Sequence, residues 1–347
     1  MEIDNEWLDN FAGWCVPQPK TESTGMWLKS YAFLLASYLT DPVCKVREYS
    51  WQMELVESSK TKSYLQFGMV MAGIGALGAT IPGMVIRGTI SYFQNEPFIH
   101  LQGNLPEKTL QGSELSLYSK NVAFIAGGYA ITHTGVAPWT YRIDGQIKEI
   151  REQNSDVVCL FEVFDTSAAF YLYEQMKDEY AHFYFNMGSK AVGTNAGIFV
   201  ASKYPIQNAE FVPFPVETLQ NKVKWTCKGF FRCDIGDRAR LYTTHLQNSA
   251  HPISPNRTVV EITQEVVEKA LQEDCHDDVI ARAAQMHLIM EDLKKNSFSK
   301  GAVIIAGDLN MDEEELSKLP WKDQWDQGVV NYGDKKSWGG DQFSVEL

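Results

Sequence analysis

Six cysteines are few for a chain of 347 residues, and none stands in the paired spacing of a zinc site. Cys15, Cys44, Cys159, Cys227, Cys233 and Cys275 are also too scattered for a disulfide framework. Both kinds of covalent staple are excluded, and a reducing compartment is favoured. Positive charge is short as well: 31 Lys and Arg stand against 44 Asp and Glu, a net charge of −13. Nonspecific nucleic-acid binding draws on cations that neutralise phosphates, so no nucleic-acid partner is expected. Most of the acidity falls after Tyr118, which suits a divalent-cation site but equally a solvated surface. The start lacks the basic, apolar, small-residue pattern of a leader, and no internal repeat occurs.

Charge is missing altogether from residues 63–86, which include the run FGMVMAGIGALGATIPGMVI. That length suffices to cross a bilayer as a helix. Its glycines (Gly68, Gly73, Gly75, Gly78, Gly83) and Pro82 suit close helix contact or a re-entrant turn. A glycine-rich buried helix of a soluble protein is the plain alternative. An earlier patch, residues 26–39, is apolar and aromatic but short and holds Lys29, so an interfacial or half-inserted helix is expected there. Lys45, Arg47, Lys60 and Lys62 precede the uncharged run and Arg87 follows it. The positive-inside rule then places the amino side in the cytoplasm. A single crossing would put the rest outside, whereas a hairpin with the earlier patch keeps it in the cytoplasm; membrane association with a cytoplasmic remainder is the expectation.

From Leu115 onward strands alternate with amphipathic helices. Strand patterns cover residues 119–125, 156–163, 196–202, 229–235 and 240–245, and helical spacing covers 259–271 and 279–293. The last strong strand, VIIAGDLN at 303–310, is a β-branched run that breaks at Gly307 and presents Asp308 and Asn310. Residues two apart on a strand point the same way, so a carboxylate and an amide converge at a sheet rim. The alternation is too irregular for a simple parallel sheet, and a two-sheet core clad in helices fits better.

Four strand ends thus carry polar groups: Asn121, Glu162, His245 and the pair Asp308 and Asn310. Each has a plain structural reading. Glu162 could cap a helix, His245 could be a satisfied core histidine, and Asn121, Asp308 and Asn310 are ordinary turn residues. Together they make a kit for metal-assisted phosphodiester hydrolysis. A hard cation such as Mg²⁺ takes oxygen ligands and typically binds through one or two carboxylates plus the substrate phosphate.

These residues sit in motifs that resemble a known superfamily. DVVCLFEVFD at 156–165, TTHLQ at 243–247 and GDLN at 307–310 look like the endonuclease/exonuclease/phosphatase superfamily. That group includes DNase I-like nucleases, inositol polyphosphate phosphatases and neutral sphingomyelinases. EVFD, THLQ and TNAGIFVASKYPI at 194–206 are most similar to the membrane-associated neutral sphingomyelinases. The resemblance implies an α+β, four-layer αββα sandwich over residues 115–347, behind an N-terminal hydrophobic, membrane-associated region at 1–114. It implies that Glu162 binds metal with support from Asn121, that His245 contacts the scissile phosphate, that Asp308 orients the attacking water, and that Asn310 holds the phosphate. Arg282 and Gln285 resemble a scaffold signature of the same group. The implied cofactor is Mg²⁺, and the implied substrate a membrane phospholipid, with sphingomyelin foremost.

One departure stands out: the superfamily carries an Asp-His pair on a last strand, and no histidine follows Asn310 here. The expectations are therefore a domain lacking its last strands, an unpaired sheet edge, and His251 or His276 as the remaining substitutes. An inositol-phosphate phosphatase, with Lys190, Lys203, Lys222, Lys224 and Arg257 as phosphate-binding cations, and a catalytically degenerate membrane scaffold are the alternatives.

Overall fold

The structure, a computed structural model, describes residues 23–94, 96–107, 109, 114–125, 136–189, 194–248, 262–311, 313–319 and 341–346. Two long helices come first. Helix α1 (Thr24–Leu55) starts at Ser23, whose hydroxyl accepts from the Met26 N–H at 3.1 Å, satisfying one of the free donors of the first turn. Helix α2 (Ser59–Phe93) returns antiparallel to it behind the Ser58 cap. The backbones meet closely at Gly83: a Cβ there would lie 3.0 Å from the Ala36 carbonyl oxygen and the side chains of Leu39 and Thr40.

Two sheets follow. The six-stranded sheet contains β1 (Ile99–Gln102), β2 (Glu114–Phe124), β3 (Val157–Val163), β4 (His182–Phe185), β5 (Phe199–Ser202) and β10 (Asp341–Glu346), in the order β1-β4-β5-β3-β2-β10. The four-stranded sheet runs β6 (Ile206–Pro213), β7 (Gly229–Ile235), β8 (Ala239–His245) and β9 (Ala302–Asp308). Period-two alternation sorts each strand's side chains between two cores. Val157, Cys159 and Phe161 of β3 face Cys233, Leu241 and Ile304 of the other sheet. Val158 and Leu160 turn outward onto α3 (Ile143–Gln153) and α4 (Thr166–Met176). The outer face of the second sheet is covered by α5 (Gln264–Ala270) and α6 (Asp278–Lys295), through Val267, Ala284, Met286 and Ile289. The layers are therefore helix, sheet, sheet, helix, the architecture expected.

The N-terminal helices differ from expectation in one respect. Residues 26–39 form part of the 32-residue α1, and its inner face is built into the protein core. Phe33 and Leu34 are buried against the α4 layer with Phe170 and Leu172, and the Ser37 and Ser167 hydroxyls bond at 2.7 Å. Fully burying such a side chain contributes about 1.5–3 kcal/mol, so the inner face of α1 serves the protein core. The α1 residue Lys29 is tied down as well, its ammonium donating to the carbonyls of Glu96 (2.5 Å) and Phe98. Strand β1, ahead of Leu115, joins the sheet by antiparallel pairing with β4. The outer edge of β2 is covered: β10 pairs with it antiparallel from Asp341 opposite Ser119 to Glu346 opposite Glu114. Among the described residues β9 ends its own sheet, with β8 as its single neighbour.

Candidate metal and phosphate site

The site forms where the carboxy ends of β2, β3, β8 and β9 meet. Parallel pairing of β2 with β3 sets Asn121 opposite Phe161, beside Glu162, and parallel pairing of β8 with β9 sets His245 opposite Asp308. Register alone thus places two pairs of functional groups side by side. Gly307 permits the close packing of β9, because a Cβ there would lie 2.3 Å from the Thr244 carbonyl. Strand geometry then breaks off: Glu162 has φ +62° and Asn310 φ +52°. Left-handed backbone at a glutamate costs about 1–3 kcal/mol and is retained where surrounding structure over-determines it. Here it turns the carboxylate out of the pleat and towards the second sheet.

The ligand atoms of Glu162, His245 and Asp308 all lie within 4.8 Å of one another. His245 Nε2 is 3.7 Å from Asp308 Oδ2 and 3.9 Å from Glu162 Oε1. Asn121 Nδ2 donates to Asp308 Oδ2 at 2.7 Å, and Asn121 Oδ1 accepts from the Ala123 N–H at 3.0 Å. Asn121 thereby holds Asp308 from behind. Asn310 closes the group, its N–H donating to Asp308 Oδ1 and its side chain to the Leu246 carbonyl, both at 3.2 Å. All five residues expected at the site come together.

Two cations not anticipated from the sequence also reach the cluster. Lys228, just ahead of β7, is buried, bonds the Leu246 carbonyl, and faces Asp308 and Glu162. Arg142 donates to the carbonyls of Val122 (2.7 Å) and Ala123 (2.6 Å) and lies in the field of Glu162. Neither motif nor spacing marks them; a lysine directly before the apolar run GFF was the one available signal.

Electrostatics follow from burial with incomplete pairing. Burial, then the nearby Lys228 charge, pushes His245 down to about 3, so its imidazole is neutral. Burial raises the Glu162 carboxyl above its ordinary range, and the Asp308 charge adds to this. Burial acts on Asp308 in the same direction, but His245, the Asn121 amide and Lys228 outweigh it and hold the group low. Burial likewise brings Lys228 down to about 8.

The donor set fits a divalent cation. Both ring nitrogens of His245 are buried without a hydrogen-bond partner, a costly arrangement unless something else satisfies them. Two carboxylates at the same point repel one another unless a cation lies between them. Further out, the end of β8 is clamped: Gln285 accepts from the Gln247 N–H at 2.8 Å, and buried Arg282 pairs with Glu315 at 2.8 Å. Arg282 and Gln285 both bond the Gln247 backbone just after β8. His276 is exposed beside Asp274, which pairs with Lys224, and His251 lies outside the described residues.

No curated protein matches the chain. Among solved structures, the β-toxin of Staphylococcus aureus is 23% identical over 60% of this chain and 70% of its own, with a TM-score of 0.45. Sphingomyelinase C of Streptomyces griseocarneus is 21% identical over 61% and 70%, with a TM-score of 0.44. ANGEL2, a 2′,3′-cyclic phosphatase, is 14% identical over 59% and 55%, at 0.37. The Endonuclease/Exonuclease/phosphatase family matches residues 119–341, which span every residue of the cluster. With this match and a site suited to metal-dependent phosphoester hydrolysis, the chain belongs to the endonuclease/exonuclease/phosphatase family.

Proposed function

We propose that this protein is a Mg²⁺-dependent phosphodiesterase that hydrolyses a membrane phospholipid, with sphingomyelin, cleaved to ceramide and phosphocholine, as its substrate. The observation that carries the reading is the convergence of Glu162, Asp308 and partnerless His245 on one point, in a chain that also holds a helix long and apolar enough to cross a membrane. The EVFD and THLQ motifs support the choice of head group.

Glu162 and Asp308, with Asn121 behind them, are the residues to hold the cation. When bound, it supplies charge neutralisation at the phosphoryl oxygens and a more acidic water. Asp308, kept ionised by its neighbours, accepts a proton from the attacking water as the water oxygen bonds to phosphorus and the P–O bond to ceramide breaks, the departing ceramide oxygen taking its proton from solvent. His245 offers a ring N–H to a phosphoryl oxygen, and Asn310 and Lys228 donate to the others. Positioned donors of this kind act where charge develops. The free cysteines among the described residues, Cys44, Cys159, Cys227, Cys233 and Cys275, support a site facing the reducing cytoplasm.

Two of the five cations named for the inositol-phosphate reading are engaged elsewhere. Lys203 bonds Asn154 (2.7 Å) and Lys224 pairs with Asp274 (2.9 Å), while Lys190, Arg257 and the Lys222 side chain lie outside the described residues. The test is phosphocholine release from sphingomyelin vesicles, with Mg²⁺ and with chelator, beside Asp308→Asn. Metal-dependent release that the substitution abolishes is the expected result. Faster turnover of inositol lipids would move the substrate, and no release of any phosphoester would make the chain a catalytically silent member of its fold.

A further inference from the structure

The uncharged run of α2 satisfies the length and composition of a crossing helix, but its packing does not. Along that run α2 is laid against α1: Gly68 meets the Tyr49 ring, Gly75 meets Pro42, and Gly83 meets Ala36, Leu39 and Thr40. The same stretch of α1 is fastened on its other side to the catalytic layers, by Ser37 to Ser167 (2.7 Å) and by Gln52 to Tyr141 (2.6 Å). It carries Asp41, Lys45, Arg47 and Glu48. A perpendicular crossing of α2 would therefore drag four charged residues and the α4 face of the domain to the depth of the hydrocarbon. Charged groups at that depth are strongly disfavoured.

The outward face of α2 suggests another placement. Phe67, Met71, Ile74, Leu77, Ile81 and Val85 follow one another at helical spacing, and each is at least half exposed. Aromatic residues stand at both ends of the stripe, Tyr64 at one and Tyr92 and Phe93 at the other, where amphipathic rings favour the lipid–water boundary. Exposed Lys60 and Lys62 lie on the amino side, complementary to anionic head groups. The rim of a protein interface is polar, and no charged residue stands within residues 63–86. At its far end a cavity of about 580 Å³ opens between Leu28, Ala32, Ile90 and Phe93, with Lys29 and Glu96 also at its wall.

We infer that α2 lies in the plane of the membrane, its stripe sunk into one leaflet, with α1 as the strut between lipid and catalytic domain. This rests on the membrane reading above and deepens it. The docked hairpin bonds Ser167, near the start of α4 and five residues after Glu162.

The test uses the full chain, synthesised in the presence of sealed microsomes, with Lys60→Cys and Glu96→Cys introduced separately and a membrane-impermeant maleimide added outside. An in-plane helix presents both ends to the same side, so both label in intact vesicles, and detergent adds little. If one end labels only after detergent, α2 crosses and the inference is overturned while membrane binding stands. A Ser37→Cys, Ser167→Cys chain, oxidised to lock α1 onto α4, should stay membrane-bound; its release would show that the hairpin must undock, and would also overturn the inference. A chain found in the soluble fraction, alone or as a dimer covering the stripe, sinks the membrane reading itself.

Discussion

Around Asp308 charge is buried, and along α2 hydrocarbon is exposed. Glu162, Asp308, Lys228 and His245 crowd into the join of two sheets, and the imidazole has no partner there. Leu77 and Tyr92 meanwhile stand more than three-quarters open to solvent. Each region breaks the ordinary partition of polar and apolar groups, in opposite directions. The proposed function would answer the first with a cation and its phosphate, and the in-plane placement of α2 would answer the second with acyl chains. The two also differ in how they are held. The site rests on hydrogen bonds between neighbouring strands, whereas the stripe depends on α1 as an intermediary.

The largest effect should come from the site. Asp308→Asn is expected to lower phosphodiester hydrolysis by about 10²–10⁴-fold with little change in melting temperature, because an asparagine can keep the bond to Asn121. A large loss of stability would mean that Asp308 serves the fold instead. On the other side of the comparison, Phe33→Ala should destabilise the protein by about 3–5 kcal/mol, read by denaturant unfolding, since Phe33 anchors α1 in the core. An effect near zero would show that the hairpin is loosely held. Glu162→Gln keeps the shape and removes the charge; a fall in divalent-cation affinity on the order of 10–100-fold is expected by analogy with loss of a supporting contact, measured by calorimetry. Unaltered affinity would move the cation away from Glu162.

A further effect concerns pH and strand β1, which packs against α1. His100 on β1 contacts His182 at 3.2 Å, and burial, then the His182 charge, brings it down to about 4. The unfolded imidazole takes a proton below its ordinary value of about 6.5, whereas the folded one does not until about 4. Stability is therefore complete above the unfolded value and is lost as pH falls between the two, by up to about 3 kcal/mol. His100→Phe should flatten that slope; an unchanged slope would assign it to other groups.

Much of the site was legible because polar residues interrupt apolar strands at Asn121, Glu162, His245 and Asp308, where alternation alone would call for another hydrophobe. Lys228 was not, since a lysine before a strand reads as a solvated flank and its burial depends on the far-off partners Leu246 and Asp308. The docking of α1 escaped notice for a related reason. Phe33 and Leu34 lie in an apolar patch that looks the same whether it faces lipid or the α4 layer. Strands β1 and β10 are short, and their pairing with β4 and β2 is a matter of distant register, which no local pattern encodes.

The pairing of β10 with β2 also sets a timetable. Among the described strands β2 comes early in chain order and β10 follows all the others, and domains tend to fold as they emerge from the ribosome, amino end first. The outer edge of β2, the strand that carries Asn121, consequently waits bare through the synthesis of the entire second sheet. Unpaired edges invite pairing with other chains. Helix α2 emerges before either sheet, with its hydrocarbon outward. If α2 lies in the membrane as inferred, a nascent chain that settles there at that stage keeps its neighbours at a distance until β10 arrives, so birth at the bilayer would protect assembly.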